Sequence, residues 1–227
     1  EAINYLKIAI DNGNSEAMYE YGNILLDSFF VFFNRKEAIQ YYLMAIGKGN
    51  ANAMCKYGQL LYDGIHLPLN KVEASRCFKK AADQGNAYAM YMYARMLVFK
   101  SEGIEINYSE ALRYAQMGVR KGNSYAMNLI AGLYKSGFGV AQNYEESNRY
   151  FRMAIEKGNE IAMYNYGICF KNGEGVEKNI NQAINYFKMS INKGYVSAMI
   201  EYANILNDGL DGIECNKQEA IKYYKMA

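Results

Sequence analysis

Apolar and small residues recur along this chain at helical spacing. Between residues 158 and 194, Ala162, Met163, Tyr166, Gly167 and Phe170 fall at i, i+1, i+4, i+5 and i+8. This is one apolar stripe of an amphipathic helix, here helix A. Ala183, Tyr186, Phe187 and Ile191 form a second stripe, helix B. Gly158 follows Ile155-Glu156-Lys157, where a helix C-terminus closes on a left-handed residue that glycine adopts freely, and Asn159 caps the helix that follows. Helix A stops at Lys171-Asn172-Gly173, and the Gly173-Glu174-Gly175-Val176 turn reverses the chain, with Val176 available to plug the interior. Helix B starts at Asn179, three residues before Gln182, in what resembles a capping box with Asn in place of Ser or Thr. The same box stands at Asn34, Asn70, Asn107, Asn143 and Asn216. Each unit is expected to be an αα-hairpin in which small Ala162 and Gly167 face large aromatics.

The hairpin repeats. Gly-Asn-x-x-Ala-Met, or a close variant, begins at Gly13, Gly49, Gly85, Gly122, Gly158 and Gly194, with gaps of 36, 36, 37, 36 and 36 residues. Glu-Ala keeps the same beat at Glu1, Glu37, Glu73, Glu110 and Glu219, with Glu146-Ser147 and Gln182-Ala183 in the remaining slots. A fixed period of this length marks a solenoid. The reading is one array over 1–227: a partial repeat of helix B alone at 1–13, full repeats at 14–49, 50–85, 86–122, 123–158 and 159–194, and a nearly full one at 195–227. Because the chain opens and closes inside a repeat, it is read as a piece of a longer protein.

Ala162, Tyr166-Gly167, Gly173-x-Gly175-Val176, Gln182-Ala183 and Tyr186-Phe187 through Gly194 resemble the Sel1-like repeat, a relative of the tetratricopeptide family. The Gly-x-Gly-Val turn and the 36-residue period separate it from the 34-residue tetratricopeptide pattern. The resemblance implies an all-α fold, a right-handed α/α superhelix of stacked antiparallel helix pairs with the A helices lining the concave face. It also implies an adaptor or scaffold for protein complexes.

Composition agrees with helix. The chain has one proline, no threonine and no tryptophan, with 51% hydrophobic residues, which suits helix over sheet. The net charge is +2, from 25 basic and 23 acidic residues in no long run of one sign. That is not a nucleic-acid or anionic-membrane footprint. No apolar run approaches the roughly 18–20 residues of a membrane span. Cys55, Cys77, Cys169 and Cys215 match neither a CxxC metal site nor a regular disulfide frame, so free, mostly buried thiols are expected and an intracellular setting is favoured. His66 is the only histidine and lies in a turn with no second ligand beside it in sequence. Asn107-Tyr108-Ser109 matches a glycosylation acceptor, but its Asn is already used as a cap. No cofactor or metal is expected.

Packing explains where repeats agree, so function is sought where they differ. Phe29, Phe30, Val31, Phe32 and Phe33 fill the first turn, where a later unit has Gly-Phe-Gly-Val. They either cover the end of the array, pack beneath the turn, or contact a partner or membrane surface. The other candidate is the A-helix face left once the packing stripe is removed: Tyr19, Asn23, Tyr88, Tyr91, Arg95, Tyr125, Asn128, Lys135, Tyr164 and Lys171. Tyr offers contact area at low entropic cost, Asn can bond peptide backbone, and cations can hold a carboxylate. The expected partner is a protein or extended peptide segment, and the alternative for this face is a solvated, Tyr-rich surface. Two other classes are weaker. Cysteine-rich Sel1-like proteins linked with β-lactam binding or hydrolysis carry a disulfide in each repeat, whereas this chain lacks regular Cys pairs and a His-based triad. RNA-reading helical repeats are disfavoured by the near-neutral charge.

Overall fold

The computed structural model describes residues 2–27, 34–101 and 103–227. Among these, thirteen helices occur and no strand is longer than an isolated bridge. The chain divides into two compact units, residues 1–121 and 122–227. The first holds α1 (Ala2–Asp11), α2 (Ser15–Leu26), α3 (Arg35–Gly47), α4 (Ala51–Asp63), α5 (Lys71–Asp83), α6 (Ala87–Val98) and α7 (Tyr108–Arg120). The second holds α8 (Ser124–Ser136), α9 (Tyr144–Glu156), α10 (Glu160–Asn172), α11 (Ile180–Ile191), α12 (Val196–Asp208) and α13 (Lys217–Met226). In both units each A helix packs on the B helix that follows it, α2 on α3 and α10 on α11, and each B helix packs on the next A helix. No described helix is long and apolar enough to cross a membrane.

The hairpin core is a small-against-large match. Tyr42, Phe78, Tyr114, Phe151 and Phe187 occupy one register position of helix B, all at 0–1% exposure. Gly22 faces Tyr42, Gly58 faces Phe78, and Gly167 faces Phe187. A Cβ at Gly167 would lie 2.7 Å from the Phe187 ring, and one at Gly22 would lie 2.8 Å from the Tyr42 ring. Where the buried aromatic is Tyr, its hydroxyl must find a partner: Tyr42 donates to Asn23 Oδ1 at 2.8 Å and Tyr114 to Asp83 Oδ1 at 2.6 Å. The expected stripe is buried at Ala162, Met163, Tyr166 and Gly167, while Phe170 and Val176 are only half-buried.

The Gly-Asn step between units does three things with one side chain and its backbone. Gly49 sits at φ +81, in the left-handed region. Its N–H donates to Ile46 O at 2.9 Å, and the Asn50 N–H donates to Ala45 O at 3.0 Å, the paired bonds of a Schellman motif. Asn50 Oδ1 then accepts from Ala53 N at 2.8 Å, capping α4. Finally, Asn50 Nδ2 donates to Glu16 Oε2 of the preceding A helix at 2.8 Å. Asn86 repeats the stitch onto Asn52 Oδ1 at 2.9 Å, and Asn159 onto Ser124 Oγ at 3.2 Å. Asp could cap but not donate, and Ser is too short to do both, so the chemistry selects Asn. Tyr195 holds this slot before α12 and gives no side-chain cap.

The Asn boxes at the B helices start those helices as expected: Asn34, Asn70, Asn107, Asn143, Asn179 and Asn216 each accept from the backbone N–H three residues on. The reciprocal half of a capping box is absent, which corrects the sequence expectation. The Asn backbone N–H, which Glu or Gln should reach, is already donated across the hairpin to Leu25, Leu61, Leu97, Tyr134, Phe170 and Leu206 respectively. Glu37 and Glu219 instead accept from the Asn side-chain amide, at 2.9 and 3.1 Å.

Candidate functional site

The A-helix face begins in the first unit with Tyr19, half-buried with its ring 6.2 Å from that of Tyr42, and Asn23, already engaged by Tyr42 and donating to Glu20 at 3.3 Å. On α6, the Tyr88 and Tyr91 rings lie 5.9 Å apart. Tyr88 keeps 36% of its surface exposed, yet its hydroxyl sits low enough that burial, then Tyr91, pushes its pKa up to about 12. Arg95 lies over the Tyr62 ring, 5.6 Å from its centroid. Cys55 and Met92 are buried, at 6% and 3% exposure.

In the second unit the A helices are cross-linked by polar bonds. Tyr125 donates to Glu160 Oε1 at 3.2 Å, and Asn165 donates to Asn128 Oδ1 at 2.9 Å. Lys135 pairs with Glu174 at 2.9 Å and Lys171 with Glu201 at 2.8 Å, all four partly buried. Burial alone would raise the Glu174 carboxyl, but hydrogen bonds from Asn172 and Lys135 hold it below its ordinary value. Two of the three cations offered as carboxylate holders therefore already have carboxylates. Tyr164 packs between the rings of Phe187 and Tyr195, at 5.9 and 5.3 Å. Next to this cluster, Val196 and Ile200 of α12 stay exposed at 46% and 41%.

Phe29, Phe30, Val31, Phe32 and Phe33 lie outside the described residues. His66 falls in the 64–69 loop, and no group of three or more His, Cys, Asp or Glu among the described residues is placed to hold a metal ion. Asn107 caps α7. The described cysteines are unpaired. Burial pushes the Cys55 thiol up to about 12 and those of Cys77 and Cys169 up to about 11, the opposite of nucleophile activation. A thiol-specific reagent is therefore expected to label exposed Cys215 rapidly in the folded chain and the other three only on unfolding. Equal labelling of all four in the native state would contradict this burial.

The stacked hairpins, capped by Asn and packed Gly against aromatic ring, define a helical-repeat protein of the tetratricopeptide-related kind. The Sel1 repeat model matches residues 1–14, 15–50, 51–86, 87–123, 124–159, 161–195 and 196–227, and the chain belongs to the Sel1 repeat family. Proteins of this family are commonly non-catalytic scaffolds for protein interactions. The chain is similar to a Sel1 repeat protein from Oxalobacter formigenes, with 28% identity over 94% of this chain and 85% of that one, at a TM-score of 0.86. It shares its fold with a protective antigen of uropathogenic Escherichia coli, with 23% identity over 99% of this chain and 48% of that one, at a TM-score of 0.72. It also shares the fold of an immunity protein from Pseudomonas aeruginosa, with 19% identity over 93% of this chain and 80% of that one, at a TM-score of 0.64. No curated protein matches the chain.

Proposed function

We propose that the chain is a non-catalytic scaffold whose A-helix faces hold an extended segment of a partner protein. The observation that carries this reading is a contrast found on the A helices of each unit. Asn, Lys and Glu side chains are bonded to one another between successive repeats inside each unit, while Tyr88 in the first unit and Val196 and Ile200 in the second remain open to solvent on well-anchored helices. Rigid aromatic and aliphatic anchors in a polar surround are the composition of an interaction hot spot. In the second unit the paired lysines favour contact by shape and apolar anchors over a cationic clamp, because Lys135 and Lys171 could grip a partner's carboxylate only by releasing their own.

Panning a displayed library of random peptides against the chain tests this. Enriched peptides are expected to lose about tenfold or more in affinity on Ile200→Asp or Tyr88→Ala, with the melting temperature unchanged. Recovery of no consensus, or binding insensitive to both substitutions, would overturn the reading.

A further inference from the structure

The third hairpin of the first unit turns differently from those whose A helix closes on glycine, and shares an extended exit with α2, which ends at Asp27. Helix α4 ends in left-handed Gly64, as α8, α10 and α12 end in Gly137, Gly173 and Gly209. Helix α6 ends in Phe99 at φ −103 and ψ 126, so the chain leaves it extended. The loop to Asn107 then runs over 99–106, where that to Asn70 runs over 64–69, and this accounts for the single 37-residue interval. The loop is seated: Ile104 N–H donates to Ser101 O at 3.1 Å. Gly103, at φ +73, approaches Val72 so closely that a Cβ would stand 2.5 Å from Val72 Cγ2.

Beside the extended exit lies a partly open cavity of about 90 Å³ lined by Tyr62, Lys71, Arg95, Met96, Phe99, Lys100 and Ser101. Lys71 and Arg95 both stand over the Tyr62 ring, 6.0 and 5.6 Å from its centroid. Neither they nor Lys100 has a carboxylate within ion-pair distance among the described residues. Ser101 Oγ is buried there without a hydrogen-bond partner, an arrangement that costs free energy unless a ligand completes it. Phe99 is 59% exposed.

We infer that this cavity takes the phosphate of an aryl phosphate monoester, a phosphorylated tyrosine side chain on a bound protein segment. Among the described residues no carboxylate lies within ion-pair distance of these three cations, and a group carrying about −1.5 to −2 at neutral pH balances them better than a carboxylate does. The Arg95 fork suits two phosphate oxygens at once, with Lys71 and Lys100 as point charges and the Ser101 hydroxyl as a further donor. The space exceeds the roughly 10–15 Å³ of one water and falls short of the roughly 300–1,000 Å³ of a site that engulfs a whole small molecule. It therefore admits a terminal group whose remainder lies outside, against the apolar walls of Tyr62, Met96 and Phe99. The inference rests on the scaffold reading, since a protein segment must carry the group.

Calorimetric titration of the whole chain with phenyl phosphate, inorganic phosphate and phenylacetate tests it. Phenyl phosphate is expected to bind about tenfold or more tightly than either of the others, and to lose about tenfold on Arg95→Gln and on Lys100→Gln. Lys135→Gln, on a paired cation of the second unit, is expected to change nothing. Because Arg95 also covers Tyr62, exposed Lys100 supplies the variant least able to perturb folding, and Lys100→Glu should abolish binding. Inorganic phosphate binding as tightly as phenyl phosphate would make this a free-anion site and overturn the proposal. Equal binding of phenylacetate, or indifference to the Lys100 substitutions, would do the same. A negative result leaves the peptide-display test on Tyr88 and Ile200 unaffected, so the two readings fail separately.

Discussion

Replacing Phe187 by Ala is expected to destabilise the second unit by about 3–5 kcal/mol. The side chain has no solvent exposure and sits in a cluster with Ala183, Ile184, Ala198, Tyr202 and Leu206. One side of its ring lies against Gly167 of the preceding helix, and Gly167 has no side chain with which to fill the void. The reciprocal change tests the same contact from the other partner. In an exposed helix interior, Gly→Ala gains about 1 kcal/mol. At Gly167 the new Cβ would stand 2.7 Å from Phe187 Cε1 and 3.2 Å from the Ala183 carbonyl oxygen. The ring could turn aside but the backbone oxygen could not, so overpacking should outweigh propensity and leave a net loss of about 1–3 kcal/mol. Combining Gly167→Ala with Phe187→Leu should cost less than the sum of the two single changes. Urea titrations followed by circular dichroism measure all of these, and a Phe187→Ala loss below about 1 kcal/mol would show that the repeats close without their aromatic plug.

The hairpins were legible because their signals are local. Ala162, Met163, Tyr166 and Gly167 announce a buried stripe within six residues, and Asn179 with Gln182 announces the start of a helix within four. What escaped the sequence involves bonds between successive repeats within a unit. Glu174 and Glu201, which neutralise Lys135 and Lys171, lie 39 and 30 residues away from them, and at such distances no pattern distinguishes a partner from a solvated acid. The donor role of the Asn50 and Asn159 amides was hidden for the same reason, although the recurrence of Asn where Asp or Ser would also cap was a usable clue. The capping-box motif misled on its second half because the backbone N–H of Asn179 belongs to Phe170 O across the hairpin. The one irregular interval, between Gly85 and Gly122, showed that the third unit differs. It could not show that Phe99 exits its helix extended and that Lys100 and Ser101 line one cavity with Arg95.

Asn50→Asp is expected to be the costlier of the conservative polar changes, at about 2–4 kcal/mol at neutral pH. As a cap Asp equals Asn, and its charge at a helix N-terminus is favourable. The loss comes from the other end of the side chain. Asn50 Nδ2 lies 2.8 Å from Glu16 Oε2, and Asp would set a carboxylate oxygen there, at a residue only 8% exposed. Burial and the facing Glu16 both raise the folded-state pKa of the new acid. The folded chain then binds a proton more tightly than the unfolded one, and stability must fall as pH rises from the ordinary Asp value of about 3.9 through the raised one. Below that window the protonated acid can donate to Glu16 and restore the stitch. Glu16→Gln alone should cost less than about 1 kcal/mol, since its carbonyl still accepts from Asn50. Added to Asn50→Asp it reverses the bond, with the Gln amide donating to the carboxylate, and should recover more than half of the loss and flatten the pH dependence. A double variant no more stable than Asn50→Asp at neutral pH would mean that the inter-unit amide bond is not what selects Asn at this step of the repeat.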